Sequence, residues 1–353
     1  MTAGASGAIA EQGAMYANGE YVNTTGPHEI NLGGAIKASL TTKQVDKSPD
    51  QALPLRWIEA QALEQAAEPV LYRLGHSTIL MKLDGEYLLT DPVFSKRASF
   101  VQWAGPRRFH PVPLEVAELP PIKAVIISHD HYDHLDKGSI RQLADKVEYF
   151  VTPLGIGEHL RNWGIEDEAI IELDWWEEVE LGSITLAATP AQHFSGRGLF
   201  DRNETLWASW VIHSATARLF FSGDTGYFDG FKEIGERYGP FDITMIENGA
   251  YNPAWRAVHM MPEESLQAHL DLGGKAMLPI HNSTFDLSLH AWYEPLERIS
   301  ALAAQHEVEL ITPVIGAPVT VQTPLPTYAW WRLPEQDAVA AIADDNEPCG
   351  ETC

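Results

Sequence analysis

Three histidines and Asp133 fall within six positions, in His129-Asp130-His131-Tyr132-Asp133-His134. Neutral imidazoles and carboxylates are ligands for zinc and other borderline divalent metals. His129 and His131 alternate in an extended segment and can point at one ion. Asp133 and His134 lie past a bend and can reach a second ion beside it. An isolated His-x-His occurs on ordinary surfaces, but this cluster follows the β-branched run Ala124–Ser128. That run reads as a buried strand, so the donors stand on a loop at its end, which points to a metal centre.

One loop cannot fill a two-metal site. His193 follows the run Ile184–Thr189, Asp224 follows Leu219–Gly223, and His281 follows Ala276–Ile280. Donors at strand ends can converge on one rim of a sheet, where the scaffold fixes their geometry.

The pattern around these points is dense in strands. Val70–Leu74, Thr78–Leu83 and Tyr87–Thr90 read as a meander with a turn at Asp84-Gly85. Asp136 can cap a helix to about Ala144, Gly155–Trp163 reads as helical, and Pro262 opens a helix to about Leu272. Phe231–Tyr238 and Trp292–His306 are further helices. Strand blocks broken by helices, twice over, predict two mixed sheets packed face to face with helices outside, an α/β fold of four layers, αββα. The expected division is a loose extension over 1–50, a main domain over 51–334 and an acidic tail over 335–353.

The chain has 353 residues, 45% of them hydrophobic, and a net charge of −25. That balance argues against nucleic acid as a partner. No apolar run is long enough to span a bilayer and the first residues lack a secretory signal's layout, so the expected location is cytoplasmic, with peripheral membrane contact open. Cys349 and Cys353, in the tail, are the two cysteines, which excludes a thiolate metal site in the core. His28, His110, His159, His213, His269, His290 and His306 lack partners at useful spacing and are assigned to surface or helix positions.

With the donors above, the chain resembles the metallo-β-lactamase superfamily. Over roughly 70–320 it is similar to the branch of hydrolases like N-acyl-phosphatidylethanolamine phospholipase D. Leu74-Gly75-His76-Ser77-Thr78, Leu89-Thr90-Asp91-Pro92-Val93-Phe94, Leu206-Trp207-Ala208-Ser209-Trp210 and Gly249-Ala250-Tyr251-Asn252-Pro253-Ala254-Trp255 carry the likeness. The resemblance implies one metal on His129, His131 and His193, a second on Asp133, His134 and His281, and Asp224 bridging them. Histidine at 131, where redox branches carry glutamate, implies two zinc ions, with iron or manganese as alternatives. Asp224, Asp133 and His259 are the implied catalytic residues. Asp91 and His76 would support ligands, and Tyr251 and Trp176 would contact substrate. Asn282-Ser283 after His281, Phe194 after His193 and Glu247-Asn248 before Gly249 depart from the branch's pattern.

The implied activity is a zinc-dependent phosphodiesterase of phospholipase D type. It would act on N-acyl-phosphatidylethanolamine-like lipids through a hydroxide between metals ~3.5–4 Å apart. A hydrolase of small soluble esters or sugar-phosphate lactones is the alternative, and a metal-binding protein without catalysis the remote one. Oligomeric state is not legible.

Overall fold

The computed structural model describes residues 13–26, 32–322 and 329–332. The acidic tail with Cys349 and Cys353, and His28, lie outside them. A hairpin of β1 (Met15–Ala17) and β2 (Glu20–Val22) precedes α1 (Leu32–Thr41) and α2 (Ala60–Gln65). The first half of the domain then supplies β3 (Val70–Gly75), β4 (Thr78–Leu83), β5 (Glu86–Thr90) and β6 (Ile122–Ile126). After α3 (Lys137–Leu143) come β7 (Val147–Pro153), α4 (Ile156–Asn162) and β8 (Ile170–Leu173).

The second half runs through β9 (Glu178–Leu181), β10 (Ile184–Thr189), β11 (Ser209–His213) and β12 (Arg218–Phe221). It continues with α5 (Gly230–Tyr238), β13 (Phe241–Glu247), α6 (Pro262–Asp271), β14 (Gly274–Ile280), α7 (Glu294–Gln305) and β15 (Glu309–Leu310). Finally β16 (Pro318–Thr320) returns to pair with β3. The two seven-stranded sheets have the orders β16-β3-β4-β5-β6-β7-β8 and β15-β14-β13-β12-β11-β10-β9.

Alternation along the strands divides the core into three apolar layers. In β6, Ala124 and Ile126 turn toward the second sheet and pack in one layer with Leu186, Trp210, Phe221 and Met245. Val125 turns outward onto Leu80, Ile140 and Leu160, beneath α3 and α4. Across the second sheet, Phe220 and Met277 meet Phe231, Leu266 and Ile299 of α5, α6 and α7. Both faces of the central strands are therefore buried, which is why they read as unbroken apolar runs. The helix–sheet–sheet–helix layering is the expected αββα arrangement.

Strand direction decides where the loops go. β5, β6 and β7 run parallel, and β3 is antiparallel to β4, which is antiparallel to β5. In the other sheet β12, β13 and β14 run parallel, and β10 has the same sense through β11. The C-terminal ends of β3, β5, β6, β10, β12, β13 and β14 thus open on one edge of their sheet.

Two expectations change. The strand expected at Ala124–Ser128 is Ile122–Ile126: Ile127 N still donates to Val151 O at 3.0 Å, but Ser128 N donates to the Asp91 side chain at 2.7 Å and leaves the ladder. The stretch before residue 50 was expected to be loose, yet the β1–β2 hairpin region is fastened to the domain. Ala14 N donates to Asp174 Oδ1 at 2.8 Å and Tyr21 N to Asn203 O at 2.8 Å.

Candidate metal centre

The loop after β6 delivers His129, His131, Asp133 and His134, and α3 follows at once. Asp136 caps that helix by accepting from Gly138 N and Ser139 N, which fixes the loop's exit. His193 arrives from the end of β10, Asp224 from β12 and His281 from β14. Gly223, at φ +55, precedes Asp224, and a Cβ there would stand 2.5 Å from that of Ser128. A Cβ on Gly249 would stand 1.9 Å from His281 O. Only glycine lets these backbones pass so close.

The donors form two adjoining groups. His129 Nε2 lies 2.9 Å and His193 Nε2 3.2 Å from His131 Nδ1. Asp133 Oδ2 lies 3.4 Å from His134 Nε2 and 3.2 Å from His281 Nε2. Asp224 Oδ2 sits between the groups, 3.1 Å from His134, 3.0 Å from His281, 3.8 Å from His129 and 4.0 Å from His193. All seven residues expected from the sequence therefore meet.

Outer partners turn the lone pairs inward. His134 Nδ1 donates to Asp91 Oδ2 at 2.7 Å, and His193 Nδ1 to Val258 O at 2.9 Å. Ser128 Oγ donates to Asp91 Oδ2 at 2.6 Å, which leaves it to accept from His129 Nδ1 at 2.9 Å. In its neutral form, each of these histidines then presents an unprotonated Nε2, the form a metal binds. Asp91, the residue named as a support, is wholly buried and accepts from both Ser128 and His134.

The donor set fits divalent cations. His134 Nε2 and Asp224 Oδ1 are buried without a hydrogen bond, a costly condition that a metal ion relieves. Burial opposes charge on His134 and His281, but Asp224 and Asp133 lift His134 well above its usual value and His281 to about 10. Burial likewise works against the Asp133 carboxylate, yet His134, His281 and His76 hold it well below the usual range. In the protein alone, protons on imidazoles balance these carboxylates; bound cations would take over that role.

His76, at the turn after β3, places Nε2 2.9 Å from Asp133 Oδ2, and burial lowers its pKa to about 3. It donates as a neutral imidazole and orients Asp133. His259 sits with its ring 5.4 Å from that of His281 and 5.1 Å from that of His193. Its Nδ1 meets Glu247 Oε1 at 2.5 Å. His76, Asp91 and His281 all have left-handed backbones, at φ 53, 32 and 62. Such strain collects where a site is over-determined.

The two expected substrate contacts each have partners of their own. Tyr251 donates its hydroxyl to Glu294 Oε1 at 3.0 Å and lays its ring on His290 at 4.5 Å, so it is committed to α7. Trp176 lies beneath the Arg237 guanidinium at 5.2 Å, against α5. Among the histidines assigned to surface or helix positions, His110 is buried against Thr284 at 3.1 Å, and His269 is buried on α6 with Thr244. His290 is largely covered through Tyr251.

Three residues escaped the sequence. Glu247, the carboxylate that ends strand β13, is fully buried and accepts from Thr225 N at 2.6 Å. Its position after Ile243–Ile246 was the available signal. Arg73, also fully buried, donates to Asn282 O at 2.6 Å and to Asn282 Oδ1 at 2.9 Å, which clamps the turn bearing His281. Asn23, from the N-terminal segment, holds His193, and no local pattern announces it.

Residues 86–282 match the model of the beta-lactamase superfamily domain. The chain belongs to the metallo-β-lactamase superfamily. Within that superfamily it is 36% identical to N-acyl-phosphatidylethanolamine-hydrolyzing phospholipase D 1 of Caenorhabditis elegans, over 73% of this chain and 76% of that one. It is 41% identical to an uncharacterized protein of Mycobacterium tuberculosis, over 92% of this chain and 89% of that one. The crystal structure of an isothiocyanate hydrolase from Delia radicum gut bacteria shares the superfamily fold, with a TM-score of 0.57 at 20% identity over 71% of this chain and 98% of that one. The chain is accordingly a metal-dependent hydrolase of this superfamily. Among the described residues no helix is long and apolar enough to cross a membrane.

Proposed function

We propose that the protein is a dinuclear zinc phosphodiesterase that cleaves N-acyl-phosphatidylethanolamine-like lipids on the phospholipase D side of the phosphate. The observation that carries this reading is Asp224 Oδ2 held between two complete donor groups. The likeness to the C. elegans phospholipase D over most of both chains supports the substrate class.

Bound there, two divalent ions would supply Lewis acidity toward the phosphoryl oxygens and an activated water. His129, His131 and His193 would hold one ion and Asp133, His134 and His281 the other, with Asp224 common to both. His76 and Asp91 fix Asp133 and His134 by hydrogen bonds, so these two donors need not reorganise during turnover. His259 faces the same space, and Glu247 orients it through Nδ1. A proton carried on Nε2, with Nδ1 held by Glu247, would donate to a phosphate oxygen or pass to the departing alcohol.

Incubation with N-acyl-phosphatidylethanolamine in detergent micelles, followed by mass spectrometry, tests the proposal. Phosphatidic acid and N-acylethanolamine are expected from the wild type and not from Asp224→Asn. Turnover confined to soluble esters would transfer the protein to the small-ester class of the superfamily.

A further inference from the structure

The two loops beside the metal centre carry the most exposed large apolar side chains of the described hydrolase domain. Phe100 and Trp103 are 76% and 81% exposed on one loop; Leu199 and Phe200 are 90% and 94% exposed on the other. Side chains of this size on loop tips usually mark an interaction surface when they gather at one place.

Each loop has a residue against Tyr132, which stands between His131 and Asp133. The Phe100 ring lies 6.1 Å from the Tyr132 ring. From the opposite side, Tyr132 donates its hydroxyl to Arg197 O at 2.7 Å, and the Arg197 guanidinium covers its ring at 4.1 Å. The second loop begins at Phe194, whose ring packs 4.6 Å from that of His131. The apolar tips therefore flank the loop that bears the metal donors.

Charge around the first loop is unlike that of the rest of the chain. From Pro92 to Leu114 the sequence carries Lys96, Arg97, Arg107 and Arg108 and no acidic residue, in a protein of net charge −25. Lys96 and Arg107 also line a cleft of about 640 Å³ with Trp57 and Phe109. Exposed Lys96 and Arg107 on the loop that carries the Phe100 and Trp103 tips suit an anionic phospholipid surface: the tips enter the acyl boundary and the cations meet the phosphates. The acidic remainder would be repelled, so only this face could approach such a surface.

We propose that the 93–107 and 194–202 loops form a membrane-docking surface that seats the metal centre on an anionic lipid bilayer. This rests on the lipid-phosphodiesterase reading, but its test is separate. The full chain would be sedimented with phosphatidylglycerol–phosphatidylcholine vesicles and with pure phosphatidylcholine vesicles. Binding is expected to the first and weaker binding to the second. Phe100→Ser with Trp103→Ser, and Leu199→Ser with Phe200→Ser, should each lower partition at least about tenfold while keeping wild-type metal content and thermal midpoint. Lys96→Glu with Arg107→Glu should abolish the preference for phosphatidylglycerol.

No vesicle binding, or binding unchanged in both apolar variants, would overturn the proposal. So would self-association that the same variants abolish, since a second copy would then own the surface. Micellar cleavage without vesicle binding would sink the docking surface and leave the substrate reading standing. Vesicle binding that the loop variants lose, with no micellar cleavage, would uphold the surface and sink the substrate reading.

Discussion

Asn23 grips both main-chain groups of His193 across 170 positions of sequence: its Oδ1 accepts from His193 N at 3.0 Å and its Nδ2 donates to His193 O at 2.8 Å. Asn23 Oδ1 also accepts from Trp207 Nε1 at 3.0 Å, and Gln192 Nε2 donates to Thr25 Oγ1 at 2.6 Å. The segment ahead of the domain thus holds one metal donor in place. Asn23→Ala would free the backbone of His193 while leaving its side chain intact. The expected result is a loss of about 10–100-fold in affinity for one of two ions, the usual cost of losing an outer support. Competitive chelator titration reads this, and two unchanged affinities would dismiss the clamp.

Asp224→Asn keeps size and removes charge at the position shared by both donor groups. Activity should fall by at least ~10²-fold, and metal content should drop below that of the wild type. Elemental analysis beside a rate measurement distinguishes lost chemistry from lost metal. A variant with full metal and full rate would show that Asp224 is not the shared ligand.

The hydrogen bond between Glu247 and His259 is expected to carry the carboxylate's effect on the reaction, so Glu247→Gln and His259→Gln should impair the same step. Both are expected to reduce kcat by about 10²-fold or more with little change in KM. In the double variant the losses should not multiply, because the pair works as one unit. Multiplicative losses would mean that Glu247 serves the fold instead.

Chelation should lower stability as well as activity, since the metals would bind the folded chain alone. At free metal 1,000 times Kd, one site contributes about 4 kcal/mol. The thermal midpoint is therefore expected to fall on treatment with a chelator and to recover on readdition of metal. Comparing recovery with zinc, manganese and ferrous iron would also identify the ion that best restores turnover.

His269 is buried on α6 with its Nδ1 2.7 Å from Thr244 Oγ1, and burial lowers its pKa to about 4. Its ordinary value is about 6.5. Below that value the unfolded chain takes up a proton that the folded chain refuses until about pH 4. Stability tied to this group is therefore complete above about pH 6.5 and declines as pH falls toward 4, by on the order of 3 kcal/mol in total. Denaturant midpoints measured across that range should slope less steeply for His269→Gln than for the wild type.

Much of this protein was fixed by local pattern. The βαβ rhythm and the apolar runs with both faces buried determined two packed sheets under helices, because burial on both sides leaves a strand no polar face. The six-residue metal loop was legible for a similar reason: its donors lie close together in the chain, so their clustering needs no help from the rest of the fold. His193, Asp224 and His281 could be named because each directly follows an apolar strand. Their convergence depends on strand order and direction, which the sequence does not state.

What only the tertiary structure decided are contacts between segments far apart in the chain. Glu247 looked like a change in an apolar pair until the folded chain set it against His259. His110 looked like a surface or helix residue, yet folding buries it against Thr284, and His269 stands on α6 but with its ring turned inward to Thr244. Tyr251 and Trp176 looked available to substrate, yet Glu294 and Arg237 claim them. Asn23 and Arg73 shape the site through hydrogen bonds to backbone of His193 and Asn282. Periodicity reports which face of a segment is apolar; the partner on the other side of a hydrogen bond exists only once the two sheets have closed.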